Sequence, residues 1–124
     1  MGLDMYAYSA PATSIEQDTD FDIDALPERT RIHYWRKHPN LHGWMQDRYV
    51  EKGGEEVFNC VPVRLSSDDL DELETAIKAG ELPDTTGFFF GSSDGSETND
   101  DLAFIAKARA AIAEGNAVFY SSWW

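Results

Sequence analysis

The sequence predicts an α+β fold in which a small, mostly antiparallel four-stranded sheet is covered by helices on one face. Apolar and polar residues alternate near both ends of the chain, as they do in strands with one covered face. Between them lie stretches with helix caps and with apolar residues at helical spacing. Helices that are gathered between strands are typical of α+β proteins. The 124 residues are expected to form a single globular domain, 1–124.

A strand and then a polar loop are predicted at the start of the chain. In residues 1–9, Leu3, Met5 and Ala7 alternate with acidic or aromatic neighbours. Residues 10–30 turn polar and contain two prolines, so we expect a loop or an edge strand there. An edge strand would place the alternating aspartates of this stretch on one face.

Two helices are predicted, one on either side of Pro39. Residues 30–37 are interpreted as a short helix, which Pro39 ends because the residue before a proline is pushed out of the α region. Pro39 itself suits the first turn of a second helix. That helix is expected to run to about residue 51 and to be closed by Gly53 and Gly54.

The second half of the chain is predicted to contain five further elements. They are strands at 55–65, 87–91 and 117–124 and helices at 66–80 and 98–114. Ser66 or Ser67 caps the first of these helices and Gly80 stops it, whereas Thr98 caps the second. Pro62 inside the first strand indicates an edge position or a bulge. The second strand is wholly apolar and is expected to be central.

Charge is unevenly distributed along the chain. The formal net charge is −13, yet the window 29–52 contains six of the ten Lys and Arg residues, all three histidines and two of the four tryptophans. Within it lies the basic segment (residues 34–49), whose candidate binding residues are Tyr34, Trp35, Arg36, Lys37, His38, His42, Trp44 and Arg48. Charged groups beside large aromatic rings often stack or bind a ligand. Core packing of the aromatic residues is the alternative interpretation.

Two groups of carboxylates are the other candidate binding residues. The first group is Asp18, Asp20, Asp22 and Asp24, and the second is Asp94, Glu97, Asp100 and Asp101. Both are expected to be exposed and able to meet a basic protein partner, although acidic surfaces often serve only solubility. The first group lacks the glycine and the final glutamate of a calcium-binding EF-hand loop. The loop that carries the second group lacks the lysine of a phosphate-binding loop.

Composition restricts the function classes. A net charge of −13 and a pI near 4.3 disfavour direct binding of nucleic acid and of anionic membranes. No apolar run is long enough to cross a bilayer and no signal-peptide pattern is present, so we expect a cytoplasmic protein.

The sequence predicts no catalytic residues, no metal site and no cofactor. His33 and His42 could act as acids or bases, but no nucleophile motif accompanies them. Cys60 is expected to be a buried, inert thiol within a strand. Enzymatic activity is therefore disfavoured, although it stays open as an alternative.

The face of the sheet without helices is expected to be a contact surface. Large aromatic side chains on an uncovered face form the kind of apolar patch that marks protein interfaces. The candidates for this face are Tyr6, Tyr8, Phe58, Phe119, Trp123 and Trp124.

Four stretches of the sequence resemble a known family. They are MGLDMY at the start, YWRKHPNLHGWM in the basic segment, GFFFGSSD near residue 90 and FYSSWW at the end. The chain is similar to a family of small uncharacterised phage and prophage proteins, whose members share the MGLDMY start, a YWRK followed by a spaced His and Trp, and a GFFFGS-like strand. The resemblance implies an accessory protein of a phage or prophage and supplies no catalytic residues.

Three alternative functions follow. The first is binding to a basic surface of another protein, for example as an inhibitor of a nucleic-acid-handling host defence protein of the anti-CRISPR or anti-defence type; acidity and small size favour it. The second is binding of a small anionic molecule, such as a nucleotide, by Arg36, Lys37, His42 and the tryptophans. The third is a small enzyme of unknown reaction.

Overall fold

Four antiparallel strands form one sheet in the computed structural model, which describes residues 2–87 and 90–124. They are β1 (Asp4–Pro11), β2 (Thr30–Arg36), β3 (Val63–Leu65) and β4 (Asn116–Trp123), in the order β2-β1-β4-β3 across the sheet. β1 and β4 pair along their whole length, from Asp4 opposite Trp123 to Pro11 opposite Asn116. The centre of the sheet therefore joins segments that are far apart in the chain.

Three α-helices cover one face of this sheet, which we name the inner face. They are α1 (Pro39–Glu51), α2 (Ser67–Ala79) and α3 (Thr98–Ala113). The inward-pointing side chains of Met5, Ala7 and Trp35 join buried residues of all three helices in one hydrophobic core. The predicted fold class is confirmed, with three α-helices among the described residues where four were predicted.

Local capping explains how α2 begins and ends. The Ser66 hydroxyl accepts a hydrogen bond from the Asp69 N–H, and the Asp69 carboxylate accepts one from the Ser66 N–H. Gly80 ends the helix in the left-handed conformation, with φ of 68°. The cap predicted at Thr98 is wrong, because Thr98 is already the first residue of α3 and no side chain caps that helix.

Residues 30–36 form strand β2, where a helix over residues 30–37 was predicted. His33 and Trp35 point inward and are buried, whereas Tyr34 and Arg36 point outward and are exposed. This alternation and the β-branched and aromatic residues of the segment suit a half-buried strand. The prediction relied on Pro39, but a proline follows an extended segment as readily as it ends a helix.

The strand predicted at 55–65 is confined to Val63–Leu65. It lies at the edge of the sheet, as Pro62 indicated, because proline has no N–H to donate to a neighbouring strand. Cys60 precedes it with a left-handed φ of 62° and is exposed. The prediction of a buried thiol is therefore wrong.

The strand predicted at 87–91 is not among the four strands. Phe88 and Phe89 lie outside the described residues, and the flanking Gly87, Phe90 and Gly91 are irregular. Phe90 is buried in the core, so its apolar character serves packing.

Residues 12–29 fold over one end of the opposite face of the sheet, which we name the outer face. As predicted for this stretch, they are largely a loop, with short 3-10 turns at Ala12–Ser14 and Ile23–Ala25. Ile15 and Phe21 belong to a second, smaller hydrophobic cluster around Phe119 of β4. The Phe21 and Phe119 rings meet edge to face, with 5.1 Å between their centres. The loop leaves the rest of the outer face uncovered.

Candidate binding groove on the outer face

A groove crosses the part of the outer face that the loop leaves open. Tyr6 and Tyr8 of β1 and Ser121 and Trp123 of β4 form its floor. Tyr6 lies opposite Ser121 in the register, so both side chains point to the same side of the sheet. Trp123 is 65% exposed. The floor is therefore an accessible aromatic surface.

Of the six aromatic residues expected on the uncovered face of the sheet, four lie on the outer face, although Phe119 is buried there beneath the loop. Tyr6, Tyr8, Phe119 and Trp123 lie on the outer face, because they share one side in the pairing of β1, β4 and their neighbours. The other two do not: Phe58 is buried in the core of the inner face, and Trp124 packs against Phe90.

Two irregular segments form the walls of the groove. Residues 20–24 and Arg29 make one wall, and Glu56 with residues 60–62 makes the other. Together they enclose about 960 Å³. The lining carries four carboxylates (Asp20, Asp22, Asp24 and Glu56) and one guanidinium (Arg29). The groove is thus acidic at its walls and aromatic at its floor.

The buried hydroxyl of Tyr49, in α1, is hydrogen-bonded to both walls of the groove. The Tyr49 hydroxyl donates to Asp20 Oδ1 at 2.6 Å and accepts from the Glu56 N–H at 3.0 Å. Burial, together with the hydrogen bond to Asp20, raises the pKa of Tyr49, which therefore stays a donor at neutral pH. A backbone hydrogen bond from the Asp20 N–H to the Pro62 carbonyl, 3.3 Å long, also joins the two walls, so these contacts together fix their spacing.

Two arginine side chains of the outer face already stack on aromatic rings. Arg29 Cζ lies 5.9 Å from the centre of the Tyr8 ring, and Arg31 Cζ lies 5.7 Å from that of Tyr34. Arg29 also pairs with Asp24 at 3.3 Å. Ring stacking combined with a carboxylate partner is a usual mode of arginine recognition in proteins. The chemistry of the groove therefore suits cationic groups.

The phenols near the groove stay neutral. Burial, and then the nearby Asp4 carboxylate, raise the pKa of Tyr6. The hydrogen bond that Tyr34 donates to Asp4, 2.7 Å long, raises the pKa of Tyr34. Both rings therefore keep the uncharged hydroxyl form at neutral pH.

The structure splits the first predicted group of carboxylates. Asp20, Asp22 and Asp24 line the groove, whereas Asp18 lies in a separate depression near the start of α2. All four are exposed, as predicted. They do not form a strand, because Asp22 accepts a hydrogen bond from the Asp24 N–H and starts a 3-10 turn.

The second predicted group does not form one surface. Asp94 and Glu97 accept N–H hydrogen bonds within their own turn, and Asp100 is exposed. Asp101 is only 1% exposed, so its predicted exposure is wrong. Its carboxylate points from the first turn of α3 into the core, where Trp35 donates a hydrogen bond to it.

The basic segment is divided between the core and the surface. Trp35, His38, His42 and Trp44 are buried, Tyr34, Arg36 and Lys37 are exposed, and Arg48 is intermediate. The alternative of core packing therefore holds for both tryptophans. The eight residues do not present a common binding surface, because β2 alternates between two faces and α1 turns one side to the core.

The anion pocket predicted for Arg36, Lys37 and His42 is not formed. His42 is 1% exposed and shares a 2.7 Å hydrogen bond with Tyr120. Burial lowers the pKa of His42 to about 4, so its ring is neutral at physiological pH. Arg36, by contrast, points to the outer face and lies 3.4 Å from Asp4.

Comparison with known family models, curated proteins and solved structures finds no match for this chain. Within residues 2–87 and 90–124, no group of three or more His, Cys, Asp or Glu is arranged to hold a metal ion. In the same part of the chain, no helix is long and apolar enough to span a membrane. Function is therefore inferred from the chemistry of the groove.

Sequence reasoning missed several residues of the groove and, outside it, Ser93. Arg29, Glu56 and Cys60 reach the groove from irregular segments, where no periodic pattern indicates the direction of a side chain. Ser93 hydrogen-bonds to His38 across 55 positions of the chain. A local motif could not have indicated either placement.

Proposed function

We propose that this protein acts by binding, and that the outer-face groove takes a basic, arginine-containing segment of a partner protein. The observation that carries the proposal is the set of four carboxylates around an aromatic floor on which Arg29 already stacks. A guanidinium from a partner would find the same two contacts, a ring face below it and a carboxylate beside it.

The charge of the whole chain supports a basic partner. At a net charge of −13, the protein attracts cationic surfaces over long range and repels anionic ones. This attraction is screened by salt, with a Debye length of about 10 Å at 0.1 M. Association with the partner should therefore slow as salt is raised.

The kind of partner follows from what basic segments do. Exposed basic segments commonly contact the phosphates of nucleic acids, so a protein that covers one competes with nucleic acid. With the resemblance to small phage and prophage proteins, this supports an inhibitor of a basic, nucleic-acid-handling host defence protein, of the anti-CRISPR or anti-defence type. Such an inhibitor would act in the host cytosol.

Calorimetric titration with short synthetic peptides tests the binding chemistry. A peptide of alternating Arg and Gly should bind, a Lys analogue should bind more weakly because ammonium groups stack less well on rings, and a Glu analogue should not bind. Binding of the Arg peptide should weaken as salt is raised. Equal affinity for the Lys and Arg peptides would show that the aromatic floor takes no part.

Matched charge variants test the location. Asp22→Asn/Asp24→Asn removes two carboxylates from the groove and keeps an oxygen for the turn, whereas Asp18→Asn/Asp68→Asn removes two from the separate depression. Each exposed charge contributes about 0.2–1 kcal/mol, so the groove variant should lose about 2- to 30-fold in affinity for the Arg peptide. An equal loss in both variants would mean that only net charge matters and would contradict the groove.

Competition with DNA tests the inhibitory role. The wild-type protein should release a labelled DNA duplex from the Arg peptide, because both bind the same guanidinium groups. Trp123→Ala, which changes a residue that is 65% exposed, should release less duplex without loss of stability. Stable ternary complexes of protein, peptide and duplex would argue against competition.

A further inference from the structure

A continuous chain of hydrogen bonds links the core to Ser93, outside the groove. Trp35 Nε1 donates to Asp101 Oδ1 at 3.0 Å, and Asp101 Oδ2 lies 2.8 Å from His38 Nε2. His38 Nδ1 lies 2.7 Å from Ser93 Oγ. Asp101 and His38 are 1% and 3% exposed, whereas Ser93 is only partly buried. The Asp101 carboxylate, the His38 imidazole and the Ser93 hydroxyl are therefore hydrogen-bonded in series, and the hydroxyl is the most exposed of the three.

We propose that Ser93 is the nucleophile of a catalytic site, with His38 as its base and Asp101 as a positioning residue, which hydrolyses small esters with uncharged acyl groups. A nucleophile within hydrogen-bond reach of a base, which a third group orients, is the arrangement that activates a serine. The site shares no lining residue with the groove and does not depend on the binding function.

The acceptors determine the direction of each hydrogen bond. An ionised carboxylate can only accept, so His38 Nε2 carries the proton that faces Asp101. While the imidazole is neutral, Nδ1 then accepts and the Ser93 hydroxyl donates to it. Proton transfer from Ser93 to His38 is thus prepared by the geometry.

The start of α1 favours negative charge on the serine oxygen. Ser93 Oγ accepts a hydrogen bond from the Asn40 N–H at 3.1 Å, in the first turn of that helix. Backbone donors and the helix dipole stabilise an anion at this position. A hydroxyl oxygen has two lone pairs, so one stays free for attack on a carbonyl carbon.

A small cavity beside Ser93 limits the substrate. It measures about 180 Å³, and Ile77 and Leu82 give it an apolar side. Glu97 and Asp101 also line it and would repel an anionic acyl group. The cavity therefore suits short, uncharged acyl chains.

Asn40 supplies a donor for the oxyanion. Its Oδ1 accepts from the Thr85 N–H at 3.0 Å, which fixes the orientation of the amide. Its Nδ2 makes no hydrogen bond within the described part of the chain, and the residue lines the same cavity. A side-chain amide of this kind stabilises the charge that develops on a carbonyl oxygen.

The reaction needs only water as a second substrate. Ser93 Oγ bonds to the ester carbonyl carbon while its proton passes to His38 Nδ1, and the positive imidazolium is stabilised by Asp101. The bond to the alcohol oxygen then breaks, and the leaving alkoxide takes the proton from His38. Water attacks the acyl-Ser93, gives a proton to His38, and releases the carboxylic acid as that proton returns to Ser93 Oγ.

Labelling of the wild-type protein with a fluorophosphonate probe tests the nucleophile. Intact mass and peptide mapping should show one adduct, on Ser93. Ser92 and Ser96 are exposed residues of the same loop and serve as internal controls. The comparison requires no variant, so unfolding cannot obscure it. Absence of an adduct, or reaction of all three serines at one rate, overturns the proposal.

Asp101→Asn separates catalysis from a structural role. The amide keeps an acceptor for Trp35 but offers an N–H to His38 Nε2, which moves the imidazole proton to Nδ1 and removes the base. Labelling and hydrolysis of p-nitrophenyl acetate should fall about 10²- to 10⁴-fold, while circular dichroism stays unchanged. Ser93→Ala should lose both signals and Ser92→Ala neither. A folded Asp101→Asn protein with the wild-type rate would show that the hydrogen-bond chain is structural only.

Discussion

Replacing Asp101 with alanine removes the acceptor of two buried donors, Trp35 Nε1 and His38 Nε2. A buried donor without an acceptor costs about 1–3 kcal/mol, so two cost about 2–6 kcal/mol. Loss of a buried charge offsets part of this, and we expect the free energy of unfolding to fall by about 2–4 kcal/mol. Since small domains are stable by about 5–15 kcal/mol, the loss should be easily measured.

Urea unfolding at neutral pH, followed by circular dichroism, gives the required free energies. The control is Asp47→Ala, an exposed acid of α1 that makes no hydrogen bond or ion pair within residues 2–87 and 90–124, so its removal should change stability by less than about 1 kcal/mol. Asp101→Asn should lie between the two, because the amide can still accept from Trp35. If Asp101→Ala is no less stable than Asp47→Ala, the Asp101 carboxylate is solvated and the expected loss from burial is refuted.

Three further predictions concern the core and the groove. Trp44→Ala should lower the free energy of unfolding by about 3–5 kcal/mol, because the ring is 8% exposed and also carries Arg48, 4.6 Å from its centre; an unchanged melting temperature would contradict its place in the core. The pKa of His42 is about 4 in the fold against 6.5 when exposed, so its contribution to stability is complete above pH 6.5 and is lost as pH falls towards 4, by up to about 3 kcal/mol. An NMR titration of its imidazole checks this, and a midpoint near 6.5 would contradict it. Tyr49→Phe should cost about 1–2 kcal/mol and weaken binding of the Arg peptide, because the hydroxyl holds Asp20 and the opposite wall; calorimetry with the variant measures both, and unchanged affinity would mean that the walls keep their spacing without it.

Helices were predictable where their signals are local. The α2 capping box and Gly80 lie within a few residues of the helix that they delimit, so the sequence displays them directly. The same holds for Pro39 at the start of α1. Segment 30–37 was misassigned because its short run of aromatic and basic residues fits either period, and only pairing with β1 makes it a strand.

The chemistry of the candidate site was predictable from the sequence, but only some of its residues were. The excess of acid and the aromatic character of the outer face are properties of composition and of period-2 alternation, which the sequence shows. Which acids line the groove is decided by how the loop 12–29 folds back on the sheet. For this reason Asp22 lines the groove, whereas Asp18, from the same predicted group of carboxylates, does not.

The sequence by itself determined the α+β class, the helix start at Pro39, the helix cap at Ser66 or Ser67 and the acidity, because these depend on neighbours in the chain or on composition. Tertiary structure alone decided which polar residues are buried. Asp101 and Ser93 meet the basic segment across 66 and 55 positions of the chain, respectively, through contacts to Trp35 and His38. A carboxylate at the start of a helix fits solvent or core equally well in sequence terms, and only the donors that fold against it determine which environment it has.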